Sequence, residues 1–217
     1  MKNLKWITSL NLVLYGLFIC VNILELIWNG YIYSLGNKWI ISESMSFSTF
    51  FMKSEIKVHT ILNWTSLVAL ILFLVFANRF VKKNDLGKSY HFLIVILAFV
   101  PFVSYFLYYI IWRKLNQSVF RYLGGSVKES DRVIVLIWIL ELSVILGSVL
   151  LTSVQYYSNS PELVSLATRL KDFELIAHSV YLLILSILYL FYFVHFKKRI
   201  MQGESGVRDM SENELID

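Results

Sequence analysis

Three glutamates and one histidine of this chain fall inside or beside long apolar runs, and their chemistry matters most there. Glu141 lies in Trp138-Ile139-Leu140-Glu141-Leu142 and Glu25 in Asn22-Ile23-Leu24-Glu25-Leu26. Glu174 and His178 stand four residues apart at the start of the last apolar run. A charged group at the centre of a bilayer costs about 2.5–3.5 kcal/mol on insertion scales. A carboxylate there must pair, reach water or keep its proton. Counted from Val133, Glu141 is about 12 Å along the helix at 1.5 Å per residue, near the midplane. A carrier would use such a group to bind and release a proton or cation. The structural alternative is a hydrogen bond from Asn63, Gln155 or a serine of a neighbouring helix.

Glu25 lies nearer a membrane boundary, where a carboxylate can reach headgroup water. Asn22 is one turn away on the same face. Glu174 and His178 also share a face, and Glu25 and His178 are expected at similar depth, where they could form a hydrogen-bonded pair. The run Ile-Leu-Glu-Leu occurs at 23–26 and again at 139–142, but four such common residues recur by chance. His59, His91 and His195 fall at the ends of apolar runs and read as interface residues. The sequence has no histidine pair at metal-ligand spacing, no phosphate-binding glycine loop and no nucleophile elbow. Gly124-Gly125 reads as a turn. No catalytic, cofactor or metal residue is therefore assigned.

Five apolar segments must position these groups: Trp6–Trp28, Ile61–Phe80, His91–Trp112, Val133–Tyr156 and Leu175–Phe196. Each is close to the ~20 residues that cross ~30 Å of hydrocarbon. The chain is 57% hydrophobic and 16% charged, against about 45–50% and ~25% for a soluble domain, so the surrounding solvent is lipid. The net charge of +5 reads as basic residues flanking membrane helices, and not as a nucleic-acid surface. Cys20 is the sole cysteine, which leaves no intrachain disulfide. The apolar run after Lys5 is too long for a leader and has no small-residue cleavage site, and Ile19 before Cys20 does not fit a lipoprotein signal. The segment reads as a retained membrane helix.

Basic residues collect on the cytoplasmic side. Five spans with an inner N-terminus divide the 20 Lys and Arg eight inside and twelve outside. If the third segment enters and leaves on the cytoplasmic side, fifteen fall inside, and only Lys38, Lys53, Lys57, Arg169 and Lys171 remain outside. Pro101 lies at the centre of that segment and Ser104 just after it. Proline removes a helix hydrogen bond and clashes with the preceding turn, which suits a re-entrant break. The fold expected is an all-α, polytopic membrane helix bundle: four transmembrane helices plus one re-entrant or kinked Pro-containing segment, with five spans as the alternative. Residues 1–200 form a single transmembrane domain, followed by an acidic, disordered cytoplasmic tail at 201–217. Ser160-Pro161-Glu162 marks a helix start, and Ser130-Asp131 is expected to cap another.

The stretch Ala77-Asn78-Arg79-Phe80-Val81-Lys82-Lys83-Asn84-Asp85-Leu86-Gly87, followed by Phe99-Val100-Pro101-Phe102-Val103-Ser104-Tyr105 and then Arg113, resembles an uncharacterised family of bacterial multi-pass membrane proteins, domain of unknown function 4328. The likeness covers residues 76–115. Ser104 stands where that family favours Asn, and Leu107-Tyr108 where it favours Arg-Pro. The resemblance implies a membrane architecture and no activity.

The function expected is that of a non-enzymatic interaction or accessory protein of the bacterial plasma membrane, both termini cytoplasmic, with the bilayer and another membrane protein or a second copy as partners. The alternative is a small transporter or ion-coupled carrier using Glu141; an intramembrane enzyme ranks last. Arg79, Lys82, Lys83, Lys197, Lys198 and Arg199 are candidate contacts for anionic lipid, at about 1 kcal/mol per charge near the surface. The charge distribution makes a testable topology. In a Cys20→Ser background, Ser89→Cys, Ser126→Cys, Ser165→Cys and Ser205→Cys are labelled one at a time in intact cells with an impermeant thiol reagent. Only the cysteine at 165 is expected to react. Opposite sidedness of positions 89 and 126 would establish five spans.

Overall fold

The computed structural model describes residues 1–35, 45–86, 89–91, 94–95, 104–123, 127–157, 162–163 and 174–213. Among them are five long helices: α1 (Lys2–Leu35), α2 (Met45–Lys83), α3 (Ser104–Tyr122), α4 (Val127–Tyr157) and α5 (Glu174–Asn213). Four contain windows long and apolar enough to cross a membrane: Lys2–Ile27, Thr60–Lys83, Val127–Leu150 and Ile176–Gly203. By helix length and composition the chain is a multi-pass membrane protein, as its apolar runs predict. Pro101 and the expected break around it lie outside the described residues, as do Ser160 and Pro161.

The helices form two compact units. The first comprises Met1–Tyr15, Thr65–Trp138 and Leu188–Asp217; the second comprises Gly16–Trp64 and Ile139–Ile187. The core of the first unit is built from helical stripes. On α3, Tyr108, Ile111, Trp112, Leu115 and Val119 are buried, a spacing of three and four that lines one face. On α5 the same spacing buries Tyr189, Tyr192, Phe193, Phe196 and Ile200. Rings from four helices meet there. Tyr15 of α1 stacks on Tyr189 at 4.6 Å, and Trp112 of α3 stacks on the same tyrosine at 5.6 Å. Phe73 of α2 meets Phe193 and Phe196 edge-on, each at 5.0 Å. In lipid such contacts hold helices together by close packing, because hydrocarbon is as apolar as the rings.

Outward-facing positions are apolar too. Trp6, Val13, Leu72, Ile110, Leu136 and Phe191 are exposed, while Thr8, Asn11, Asn116 and Ser130 are buried. This inverts the soluble pattern, in which a buried polar group is the exception.

Two helix ends differ from expectation. Ser130 does not cap α4: the helix begins at Val127, and Ser130 sits inside its first turn with its hydroxyl donating to the Val127 carbonyl at 3.1 Å. Glu129 in that turn suits the positive end of the helix dipole. At the other extreme α5 runs on to Asn213, through most of the segment expected to be a disordered tail from residue 201.

The end of α2 is a Schellman turn. Leu86 N–H donates to the Val81 carbonyl at 3.1 Å and Asp85 N–H to the Lys82 carbonyl at 3.4 Å, with Asp85 in the left-handed region at φ 50°. Asn78 then clamps the returning chain: its Nδ2 donates to the Tyr90 carbonyl at 2.7 Å, and Tyr90 N–H donates to its Oδ1 at 2.8 Å. Aspartate tolerates the left-handed region and β-branched residues do not. Asp85→Gly is expected to change stability by less than about 1 kcal/mol, and Asp85→Val to lower it by about 1–2 kcal/mol, read from unfolding in mixed micelles. A valine variant as stable as the parent would show that the turn does not hold this conformation.

Candidate functional site

The polar residues inside the two units are mostly neutral amides and hydroxyls. In the first unit a chain of hydrogen bonds joins three helices. The Tyr192 hydroxyl of α5 donates to Asn116 Oδ1 of α3 at 3.0 Å. Asn116 Nδ2 donates to Ser130 Oγ of α4 at 2.8 Å, and the Ser130 hydroxyl donates to the Val127 carbonyl. All three side chains are buried. Trp112 meets Tyr192 edge-on at 4.9 Å, closing one side of the chain. Asn11 of α1 donates from Nδ2 both to the Ile7 carbonyl of its own helix at 2.9 Å and to the Ala69 carbonyl of α2 at 3.2 Å.

Around this chain the first unit carries charge. Asp131 Oδ2 accepts from Arg113 Nε at 2.9 Å and from Gln117 Nε2 at 2.9 Å. Arg113 is 53% exposed and Asp131 14%, so the pair is half-solvated and contributes little to stability. His195, expected at the interface, is mostly covered: its ring stacks on Phe120 at 5.6 Å, and its Nε2 lies 3.7 Å from Glu129 Oε2. Outside the spans, burial pushes the Tyr90 phenol above its ordinary pKa.

The second unit holds the residues singled out as an intramembrane polar site. Asn22 is fully buried, and its Nδ2 donates to Ser186 Oγ of α5 at 2.9 Å. Ser186 in turn donates to the Leu182 carbonyl at 2.7 Å. Asn22 Oδ1 accepts no hydrogen bond among the described residues. Glu25, one turn on, is half-buried, with its Oε2 shielded from solvent. His178 is exposed, its ring 6.0 Å from that of Tyr181. Ser186 is therefore what α5 presents to Asn22. Glu141 is half-buried near the middle of the Val127–Leu150 span. The side chains of Glu174, Ser104 and His59 lie outside the described residues.

The candidate lipid contacts all belong to the first unit. Arg79, Lys82 and Lys83 are exposed at the end of α2. Lys197 and Lys198 line an open recess of about 450 Å³ with Leu12, Val194 and Met201, and Arg199 Nη1 donates to Gln202 Oε1 at 3.3 Å. Among the described residues no group of three or more His, Cys, Asp or Glu could hold a metal.

No family model, no curated protein and no solved structure matches the chain.

Sequence reasoning missed Asn116, Tyr192, Asn11 and Asn78. The signal available was a set of amides and one tyrosine on faces whose other members are large and apolar. Interhelical hydrogen bonds in membranes are worth about 0.6 kcal/mol on average and up to about 1.7. Tyr192→Phe strands Asn116 Oδ1 and is expected to cost about 1 kcal/mol. A cycle with Asn116→Ala should show coupling of about 0.5–1.5 kcal/mol. Strict additivity of the two substitutions would mean that the bond contributes nothing.

Proposed function

We propose that the chain is a non-enzymatic interaction or accessory protein of the bacterial plasma membrane, with four spans, a re-entrant Pro101 segment and both termini in the cytoplasm. The observation that carries the interaction reading is the open apolar flank of α4. Only 17% of its apolar window is buried, against 39% of the window in α2, and Leu136, Ile139, Leu146, Val149 and Leu150 are exposed. A helix so little used by its own chain has surface left for another membrane helix, from a partner protein or a second copy. Membrane helices associate by close packing of such surfaces. Two further features support the topology. α3 belongs wholly to the first unit, and every basic residue counted as cytoplasmic falls in that unit's ranges. Lys38, Lys53, Lys57, Arg169 and Lys171 fall in those of the second.

A second reading, a small carrier, draws on the second unit. The buried Asn22 Oδ1 that accepts no bond is the kind of group a substrate donor would engage, and Glu141 lies at mid-span.

The two readings separate in one pair of measurements. A photo-reactive residue replacing Leu146 or Leu150, in native membranes, is expected to give a protein adduct of discrete mass, unchanged by Glu141→Gln. Adducts to lipid alone, together with an ion or solute flux in proteoliposomes that Glu141→Gln abolishes, would replace the accessory reading with the carrier.

A further inference from the structure

Two cavities in the first unit lie side by side along α3 and α4, with Arg113 and Val135 lining both. The wider part, about 490 Å³, is lined by Arg113, Lys128, Asp131 and Arg132. The narrower part, about 140 Å³, is lined by Phe106, Tyr109, Ile110, Ile134 and Trp138. The wider part is electropositive. It has three cations against one carboxylate, and that carboxylate already accepts from Arg113 and Gln117. Arg113 meets Asp131 through Nε alone, so its two Nη groups make no hydrogen bond among the described residues. Glu129, the other acid of that turn, lies against His195.

The order of these features along α4 matches a leaflet. Lys128 and Arg132 stand in the first turns of the Val127–Leu150 span, at the level of headgroups. Trp138 lies ten residues beyond Lys128, about 15 Å at 1.5 Å per residue, which carries it from the headgroup level into the hydrocarbon of the same leaflet. A cationic mouth at the boundary and an aromatic, apolar groove entering the hydrocarbon complement a phosphate ester of a diacylglycerol. A guanidinium can grip a phosphate through two parallel N–H donors, and lysine adds a point charge.

We propose that this α3–α4 cleft holds one anionic phospholipid, its phosphate between Arg113, Lys128 and Arg132 and one acyl chain against Phe106, Ile110 and Trp138. The site is distinct from the recess at Lys197 and Lys198. The proposal rests on the membrane reading above, which carbonate washing of membranes tests separately: a chain released to the supernatant would sink that reading, whereas failure of the cleft leaves the chain in the pellet.

The full chain, purified in neutral detergent, is titrated with phosphatidylglycerol, with phosphatidylcholine and with inorganic phosphate, and adducts are counted by native mass spectrometry. One phosphatidylglycerol is expected to bind at least about tenfold more tightly than phosphatidylcholine. Lys128→Gln with Arg132→Gln should weaken it about thirtyfold, while the charge-matched Lys114→Gln with Arg121→Gln, at exposed positions of α3 that line neither cavity, should leave that adduct in place. Equal loss in both double variants, or no preference between the lipids, would overturn the proposal. Displacement of the lipid by millimolar inorganic phosphate would make the cleft a site for a free anion. If the Lys128/Arg132 variant does not fold, the parent still decides. Phosphatidylglycerol brominated along its chain should quench the emission that Trp138→Phe removes, and an unquenched Trp138 rejects the acyl placement.

Discussion

Hydrocarbon offers no hydrogen bonds, and the placement of the buried asparagines among the described residues follows from that. In water an exposed asparagine costs nothing. In a bilayer it must find a partner within the protein. Asn11, Asn22 and Asn116 are all turned inward and each donates to a neighbouring helix. The large apolar side chains left outside are mostly Trp, Leu, Ile, Val and Phe, which lipid solvates without penalty. Polar pairing thereby sets which helix faces meet, and the aromatic packing around Tyr189 and Phe193 fills what those pairs define.

The same constraint separates the ionisable groups from the amides. Within the candidate spans the described charges of the first unit lie toward the ends: Lys82 and Lys83 close one span, and Lys128, Asp131 and Arg132 stand in the first turns of another. Neutral amides do the interior work because they satisfy donors and acceptors without the cost of burying a full charge. Glu141 is the departure from this division, a carboxyl at mid-span, and it keeps the carrier reading in play beside the accessory one.

Hydropathy and length made the spans legible, since the ~20-residue requirement is local and one-dimensional. The four windows Lys2–Ile27, Thr60–Lys83, Val127–Leu150 and Ile176–Gly203 overlap four of the five apolar runs, with boundaries shifted by several residues. The pairings were not legible. Asn22 and Ser186 are 164 residues apart and Asn116 and Tyr192 are 76 apart, and no local pattern says which amide faces which hydroxyl. Ser130 read as a cap because Ser-Asp before an apolar run usually is one; here Lys128 and Glu129 extend the helix ahead of it, and the hydroxyl is taken up by Asn116.

α4 shows how little apolar burial a membrane helix needs when it is pinned at one end. Its first turns are tied to α3 by the buried Asn116–Ser130 bond and by Asp131, which takes both Arg113 and Gln117. The exposed ion pair adds little by itself; the buried bond and the packing of Val133, Ile134 and Ile137 beside it make up the rest of the attachment. Beyond Ile137 the large side chains Ile139, Leu146, Val149 and Leu150 are exposed. One helix is thus anchored by polar contacts where the bilayer begins and open to other apolar surfaces farther along. The proposed headgroup cleft and the proposed association with another helix both draw on that asymmetry.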